Sequence, residues 1–336
     1  MLDIRLIREK PDLVRERLAS RGNGDEAKVD EVLRVDAERR KVETALQQLN
    51  AERNRLSKEI GARKASGEAS DELQERVRQI GDQIAQLNAR AAAVEDEQRN
   101  LLLQMANLPH PSVPLGRDAG ANRVIRAWGQ KPPMNEPADH VRLGTRLRLF
   151  NLEWATRLSG SGFICFTGRG AKLERALINF MIELHTREHG YTEISPPFLV
   201  RRDCMIGTSQ LPKFEADMYG LEGNQLFLAP TAEVQLTNLY REQILSAADL
   251  PKKFVAYTPC FRREAGAAGR ETRGLIRVHQ FDKVELVKIT APEKSYEELE
   301  SLAADAERVL QLLGLHYRVV ELCTGDLGFG SAKTYD

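Results

Sequence analysis

TPCFRREAGAAGRETRGLIRVHQFDKVE, residues 258–285, reads as a strand, a loop of small residues and a second strand. Arg262, Arg263, Arg270, Arg273 and Arg277 crowd its middle, with two glutamates and no lysine between the first and last of them. Small residues allow close backbone approach, and guanidinium forks grip phosphate oxygens at two points without losing charge. A few arginines on a hairpin also describe an ordinary basic surface. Neither GxxxxGK[ST] nor GxGxxG occurs in the chain, so the familiar glycine-rich phosphate loops are excluded.

Strand alternation sharpens the reading. On the second strand Phe281 and Glu285 share a face with His279 and Lys283, while Val278, Val284 and Leu286 supply the buried one. Arg262 and Glu264 are expected to face together on the first strand, as are Thr231 and Glu233 in TAEV. Three such pairs make a pocket with a cation for phosphate or carboxylate, an aromatic face for a base, and anions for an ammonium group. That suits a nucleoside triphosphate beside a small amino acid. His279 is either a base or a structural residue; the second fits better, because phosphoryl-transfer sites work mainly by positioning and charge stabilisation.

Outward from the hairpin the chain is mixed. LERALINFMIELHTREHG predicts an amphipathic helix ending at Gly190, and YTEISPPFLV a strand that must stop at Pro196 and Pro197. NQLFLAPTAEV, KKFVAYTPCFRRE, LIRVHQFDKVELVKI and HYRVVELC are β-rich, with a helix around SYEELESLAADAERVLQLLG. Helices among adjoining strands, without strict alternation, predict an α+β domain over 161–336 with a largely antiparallel sheet. Residues 107–160, with PHPSVPLG and KPPMNEP, read as a proline-rich linker lying on it.

Residues 1–106 are helical, with a coiled coil over about 29–106. Leu73, Val77, Ile80, Ile84, Leu87, Ala91 and Val94 form a heptad seam; Val35, Val42, Leu49 and Leu56 form another, joined by Leu46 and Ile60 and interrupted by Arg39 and Arg53. The polar break GARKASGEASDE folds the two most simply into an antiparallel hairpin with arms of about 45 Å. Alone, such a rod is a spacer or a dimerisation element. Its Arg40, Lys41, Arg55, Lys58, Arg63 and Lys64 could meet phosphates but are mixed with acids.

Composition narrows the class. The chain has 336 residues, 42% of them hydrophobic, enough for two domains. Its 49 basic and 49 acidic residues cancel, so polyanions must be met by local patches. Cys165, Cys204, Cys260 and Cys323 form no CxxC pair, which indicates neither a zinc site nor a disulfide framework. Acids within the first dozen residues argue against a targeting peptide, and no run reaches membrane-spanning length. The expectation is a soluble, cytoplasmic protein with no membrane partner.

TAEVQLTN, TPCFRREAGAAGRETRGLIRVHQFDKVE and LCTGDLGFGSAKTYD closely resemble the seryl-tRNA synthetase family of class II aminoacyl-tRNA synthetases, and LDIRLIREKPDLVRERLASRG resembles its start. The resemblance covers residues 1–336. It implies a serine-tRNA ligase that uses ATP and Mg2+ to make seryl-adenylate and charges serine tRNA as a homodimer. Thr231, Ala232 and Glu233 would line the L-serine site. Arg262 would bridge the α-phosphate and the serine carboxylate, and Glu264 would help hold ATP; these two are the implied catalytic pair. Arg263, Val278 and Phe281 fall at ATP-binding positions, Phe281 stacking on adenine. Glu285 would bind the serine ammonium or its hydroxyl. No metal ligand is implied in this segment. The helix near Leu173 and the strand ending at Pro196 match the first class II motif, which implies the dimer contact. The helical arm would grip the long variable arm of serine tRNA, which turns the rod into an RNA-binding element.

Several positions depart from the family pattern: Gln235 after TAEV, Arg263 within FRxE, Val278 before HQF, Asp282 within FxKVE, and Gly330. Val278 removes a polar side chain beside the nucleotide. Residues 1–336 also lack the family's third motif and its second ATP-binding arginine, so the sheet is expected to be incomplete, with an unpaired edge. The expectations are therefore a ligase whose activity needs a further C-terminal part, or a truncated relative that binds tRNA or a partner without catalysis. A carrier-protein aminoacylating relative should lack the helical arm.

Overall fold

The computed structural model describes residues 1–265 and 273–336. Arg270 and most of the AGAAGRETRG loop lie outside the described residues. The chain forms two compact units, Met1–Arg123 with Glu321–Thr334 and Asp336, and Val124–Val320 with Tyr335.

The first unit opens with α1 (Ile4–Glu9) and α2 (Pro11–Ala19), followed by α3 (Lys28–Ser66) and α4 (Asp71–Leu103). Ion pairs link Arg34 to Glu97, Glu38 to Arg90 and Glu52 to Arg76, so position falls along α4 as it rises along α3 and the pair is antiparallel. Leu56, Ile80 and Ile84 are buried in the predicted seam, flanked by Leu46, Leu49, Leu73 and Val77. The arms exceed expectation: 39 and 33 residues correspond to about 58 and 50 Å. Arg39, which breaks the heptad, bonds Asp36 at 3.4 Å and Glu43 at 2.5 Å, so its charge is met on its own helix. Gly67, with φ 76°, ends α3 in the left-handed conformation that glycine adopts at little cost, and the following amide closes on Arg63 O at 2.9 Å. At the base, Ile7, Val14 and Leu18 pack on Val29, Val32, Leu102 and Met105.

The second unit holds β1 (Arg123–Trp128), α5 (His140–Arg146), α6 (Leu152–Ser159), α7 (Arg169–Arg187), β2 (Thr192–Glu193), β3 (Leu199–Arg201), α8 (Arg202–Gly207), β4 (Leu226–Leu228), α9 (Glu233–Thr237), β5 (Lys252–Phe261), β6 (Gln280–Ile289), α10 (Ser295–Leu312) and β7 (Tyr317–Glu321). β1 and β7 pair, as do β3 and β4; the central sheet runs β2-β5-β6. β5 and β6 are antiparallel from Lys252↔Ile289 to Phe261↔Gln280, and β2 lies parallel to β5. Among the described residues β6 is an edge strand of an open sheet. Ala256 pairs with Glu285, Thr258 with Lys283 and Cys260 with Phe281, and cross-strand partners share a face. α9 covers part of that face, burying Ala232 and Leu236 against Phe254 and Ala256. The opposite face meets α7 and α10.

Four readings change. The segment 107–160 contains β1, α5 and α6. YTEISPPFLV divides into β2 and β3 around its prolines, and TAEV begins a helix instead of extending a strand. β5 ends at Phe261 and β6 begins at Gln280, so Arg262, Glu264, Val278 and His279 lie beyond the strand ends. Strand alternation therefore does not set the direction of Arg262 and Glu264.

Candidate active site

The site lies on the sheet face that carries Thr258, Cys260, Phe281, Lys283 and Glu285. Thr231, buried just before α9, donates its hydroxyl to Glu285 Oε2 at 2.5 Å. Thr231 Oγ1 in turn accepts Lys283 Nζ at 3.1 Å and the Glu233 amide at 3.2 Å, which fills the donor and acceptor capacity of a hydroxyl. Lys283 Nζ also stands 2.5 Å from Glu285 Oε2. TAE thus does two jobs at once: it starts α9 and ties that helix to the sheet.

Glu233 projects from the first turn of α9 with an exposed outer edge. Protein around its carboxyl displaces water and raises its pKa; the nearby charge of Glu285 adds to this, while Lys283 and Arg262 oppose it. Two carboxylates facing two cations give a pocket suited to a zwitterion. Ala232 is fully buried and packs with Leu236, Phe254 and Ala256.

Arg262 completes the cationic side. Its guanidinium lies 5.0 Å from the Phe281 ring centroid, and its Nε donates to Pro230 O at 3.4 Å. Phe281 and Glu285 share the face predicted from alternation. The His279 ring is occupied structurally: Nδ1 lies 3.1 Å from Arg262 O, the amide donates to Gly162 O at 2.8 Å, and Phe163 packs against the ring at 5.2 Å. A Cβ at residue 162 would fall 2.6 Å from the imidazole, so only glycine permits this approach.

Arg263 and Glu264 have partners outside the Thr231, Lys283 and Glu285 cluster. Arg263 lies over the Tyr219 ring, 5.9 Å from its centroid, and Glu264 Oε2 accepts Arg277 at 2.7 Å. Val278 is buried and offers only aliphatic surface. Alternation puts Lys283 on the face of Phe281 and Glu285, but the sequence alone assigns it no role in the site. Asp217 and Tyr219, about 45 positions before the Arg263 that both touch, carry no such signal.

On the reverse face a second polar group joins α7 to the hairpin. Tyr257 donates to Asp282 Oδ1 at 2.6 Å. Glu174, part-buried and hydrogen-bonded to Asp282, has its pKa pushed up to about 7, first by burial and then by the hydrogen bond and charge of that neighbour. Asp282, one of the departures noted above, therefore faces α7 and not the pocket.

Comparison with known proteins bears on the family and the fold. The seryl-tRNA synthetase N-terminal domain family matches residues 1–109, and the class II tRNA synthetase core domain family (G, H, P, S and T) matches residues 214–336. Serine-tRNA ligase from Akkermansia muciniphila is 56% identical over all of this chain and 79% of its own length. The enzyme of that name from Syntrophomonas wolfei is 53% identical, with 78% of its length covered. Among solved structures, seryl-tRNA synthetase from Pyrococcus horikoshii complexed with ATP superposes with a TM-score of 0.91 at 38% identity, covering all of this chain and 80% of that one. Cytoplasmic serine-tRNA ligase from Naegleria fowleri in complex with AMP gives 0.85 at 26%, covering all of this chain and 81% of that one. A helical hairpin, an open antiparallel-rich sheet and two family matches at opposite ends of one sequence lead to one assignment: the chain belongs to the seryl-tRNA synthetase family.

Proposed function

We propose that the protein activates L-serine with ATP and transfers the seryl group to serine tRNA. The observation that carries this reading is the cluster in which Thr231 and Arg262 meet Phe281, Lys283 and Glu285 of one sheet face. In the first step a serine carboxylate oxygen attacks the α-phosphorus of ATP; the new P–O bond gives seryl-adenylate, and pyrophosphate leaves with the electrons of the broken bond. Arg262 offsets charge on the α-phosphate and aligns the serine carboxylate. Glu233 and Glu285 take the ammonium and hydroxyl, and Phe281 takes the adenine. In the second step a terminal ribose hydroxyl of the tRNA attacks the seryl carbonyl and AMP departs.

Mg2+ would accompany the nucleotide and neutralise phosphate charge. Among the described residues no group of three or more His, Cys, Asp or Glu side chains converges. We assign residues 1–106 to a tRNA-binding arm, 107–160, with β1, α5 and α6, to a structured connection, and 161–336 to the catalytic core, with α7 contributing to a homodimer. A cytoplasmic location belongs to the same proposal. Among the described residues no helix is long and apolar enough to cross a membrane.

Serine-dependent exchange between pyrophosphate and ATP tests the assignment, with Arg262→Ala as control. Exchange that depends on serine and falls at least about a hundredfold in that variant supports it. Binding of serine tRNA without any exchange would favour the non-catalytic reading.

A further inference from the structure

Glu264 sits at φ 50°, a left-handed conformation that a glutamate keeps only where its surroundings hold it. Here one residue holds it from both sides. The main-chain oxygen of Asp217 accepts the Arg263 amide at 2.7 Å, and Asp217 Oδ1 accepts the Ala265 amide at 2.8 Å. The two N–H groups flanking Glu264 are thus bound to the same partner, and the peptide between them has little freedom to rotate.

Asp217 is itself fastened. It ends the 3-10 turn Glu215–Asp217, and Arg202 grips Glu215 through two bonds at 2.8 and 2.7 Å. Two residues on, the Tyr219 ring lies under the Arg263 guanidinium and stands nearly perpendicular to the His279 ring, with centroids 6.5 Å apart. The turn after β5 therefore takes its shape from a segment distant in sequence.

We propose that Asp217 is a positioning residue for the nucleotide half of the reaction, fixing the turn around Glu264 so that Arg262 and Glu264 are set before ATP arrives. This rests on reading Glu264 as an ATP contact. The two bonds of Asp217 separate cleanly under mutation: the carbonyl bond survives any substitution, whereas the side-chain bond survives in Asn and is lost in Ala.

The test is serine-dependent pyrophosphate exchange in the full-length protein, with ATP and serine varied in turn. Asp217→Ala raises KM for ATP about fivefold, the effect of one lost hydrogen bond, and changes KM for serine by less than about twofold. Asp217→Asn stays within about twofold of the unsubstituted protein on both. Equal rises in both constants, or Asn as damaging as Ala, would overturn the role. Glu264→Gln, measured alongside, tests the underlying reading: no effect on KM for ATP removes that reading and the proposal with it. An effect of Glu264→Gln without one of Asp217→Ala removes the proposal alone. Should the Ala variant fail to fold, hydrogen exchange decides, since the Ala265 amide of the unsubstituted protein must be protected before ATP is added, and rapid exchange there sinks the idea.

Discussion

Lys283 Nζ bridges Glu285 Oε2, at 2.5 Å, and the Thr231 hydroxyl, at 3.1 Å, so one ammonium joins the two walls of the amino-acid pocket. Lys283→Met leaves Glu285 beside Glu233 with that cation gone, and neither carboxylate is then well disposed toward serine. KM for serine should rise about 10- to 100-fold, the usual effect of losing a hydrogen bond to a charged group, while KM for ATP changes less than about threefold. Pyrophosphate exchange at varied serine checks this. Lys283→Arg keeps the charge but not the compact point donor, and should fall between the two. An unchanged serine constant in the Met variant would show that Glu285 is held by Thr231 alone.

The pair Glu174 and Asp282 gives a pH dependence of definite sign. The folded protein raises Glu174 from 4.5 to about 7, so the fold binds its proton more tightly than the unfolded chain does. The resulting stability is complete below about 4.5 and is lost as pH rises through about 7. Glu174→Gln carries a permanent hydrogen-bond donor in place of that proton. Above pH 8 it should be more stable than the unsubstituted protein, by on the order of 1–2 kcal/mol after allowing for partial exposure. Thermal melts of both proteins from pH 4 to 9 supply the test, and parallel curves would refute it.

What the sequence disclosed follows from the range of each force. The arm was legible because Val35, Val42, Leu49 and Leu56 repeat a local rule turn after turn, and a rule so often repeated tolerates Arg39. Phe281 and Glu285 were placed on one face because alternation holds throughout β6. Glu264 was misplaced, since strand periodicity ends at Phe261 and the turn beyond is shaped by Asp217. β1 was read as linker because its residues are exposed or half-buried and carry no face pattern; its partner β7 lies nearly 200 positions away. Helix α9 escaped notice because five residues are too few to show a period.

Asp36 is the polar hub of the arm's base. Its side chain is 1% exposed and accepts Arg8 at 3.3 Å, Arg40 at 3.1 Å and Gln98 at 3.2 Å. Burial alone would raise its pKa, but bonds from Gln98 and Arg39 and the charges of Arg8 and Arg40 outweigh this and pull it below the usual aspartate value. The stability it adds is therefore present above about pH 4 and is lost as pH falls through its lowered folded value. Asp36→Ala strands three guanidinium groups around an uncharged methyl and should cost about 2–4 kcal/mol at neutral pH. Helix ellipticity at 222 nm, followed against urea, measures the cost; a loss below about 0.5 kcal/mol would mean the arginines re-pair with solvent or with Glu43.

Arg21 presents the converse problem, a buried cation satisfied by carbonyls. It is 7% exposed, and burial lowers its pKa, yet an arginine keeps its proton throughout the accessible range. Nε donates to Asn107 O at 2.7 Å, Nη1 to Leu327 O at 3.2 Å and Gly328 O at 3.3 Å, and Nη2 to Ser331 O at 2.5 Å. Four acceptors from two distant segments surround one planar group, and Asn107 adds its own amide bond to Phe329 O at 2.9 Å. Arg21→Lys keeps the charge but offers a point donor that cannot reach both sides of the guanidinium plane. Arg21→Met fills similar volume and supplies no donor. If geometry is what matters, Lys should be nearly as damaging as Met, each costing about 2–4 kcal/mol, with faster hydrogen exchange at the Asn107 amide. If charge is what matters, Lys should recover most of the loss. A Met variant with unchanged stability and unchanged exchange would show that ordered water satisfies these carbonyls equally well, and would remove Arg21 from any account of how residues 327–331 are held.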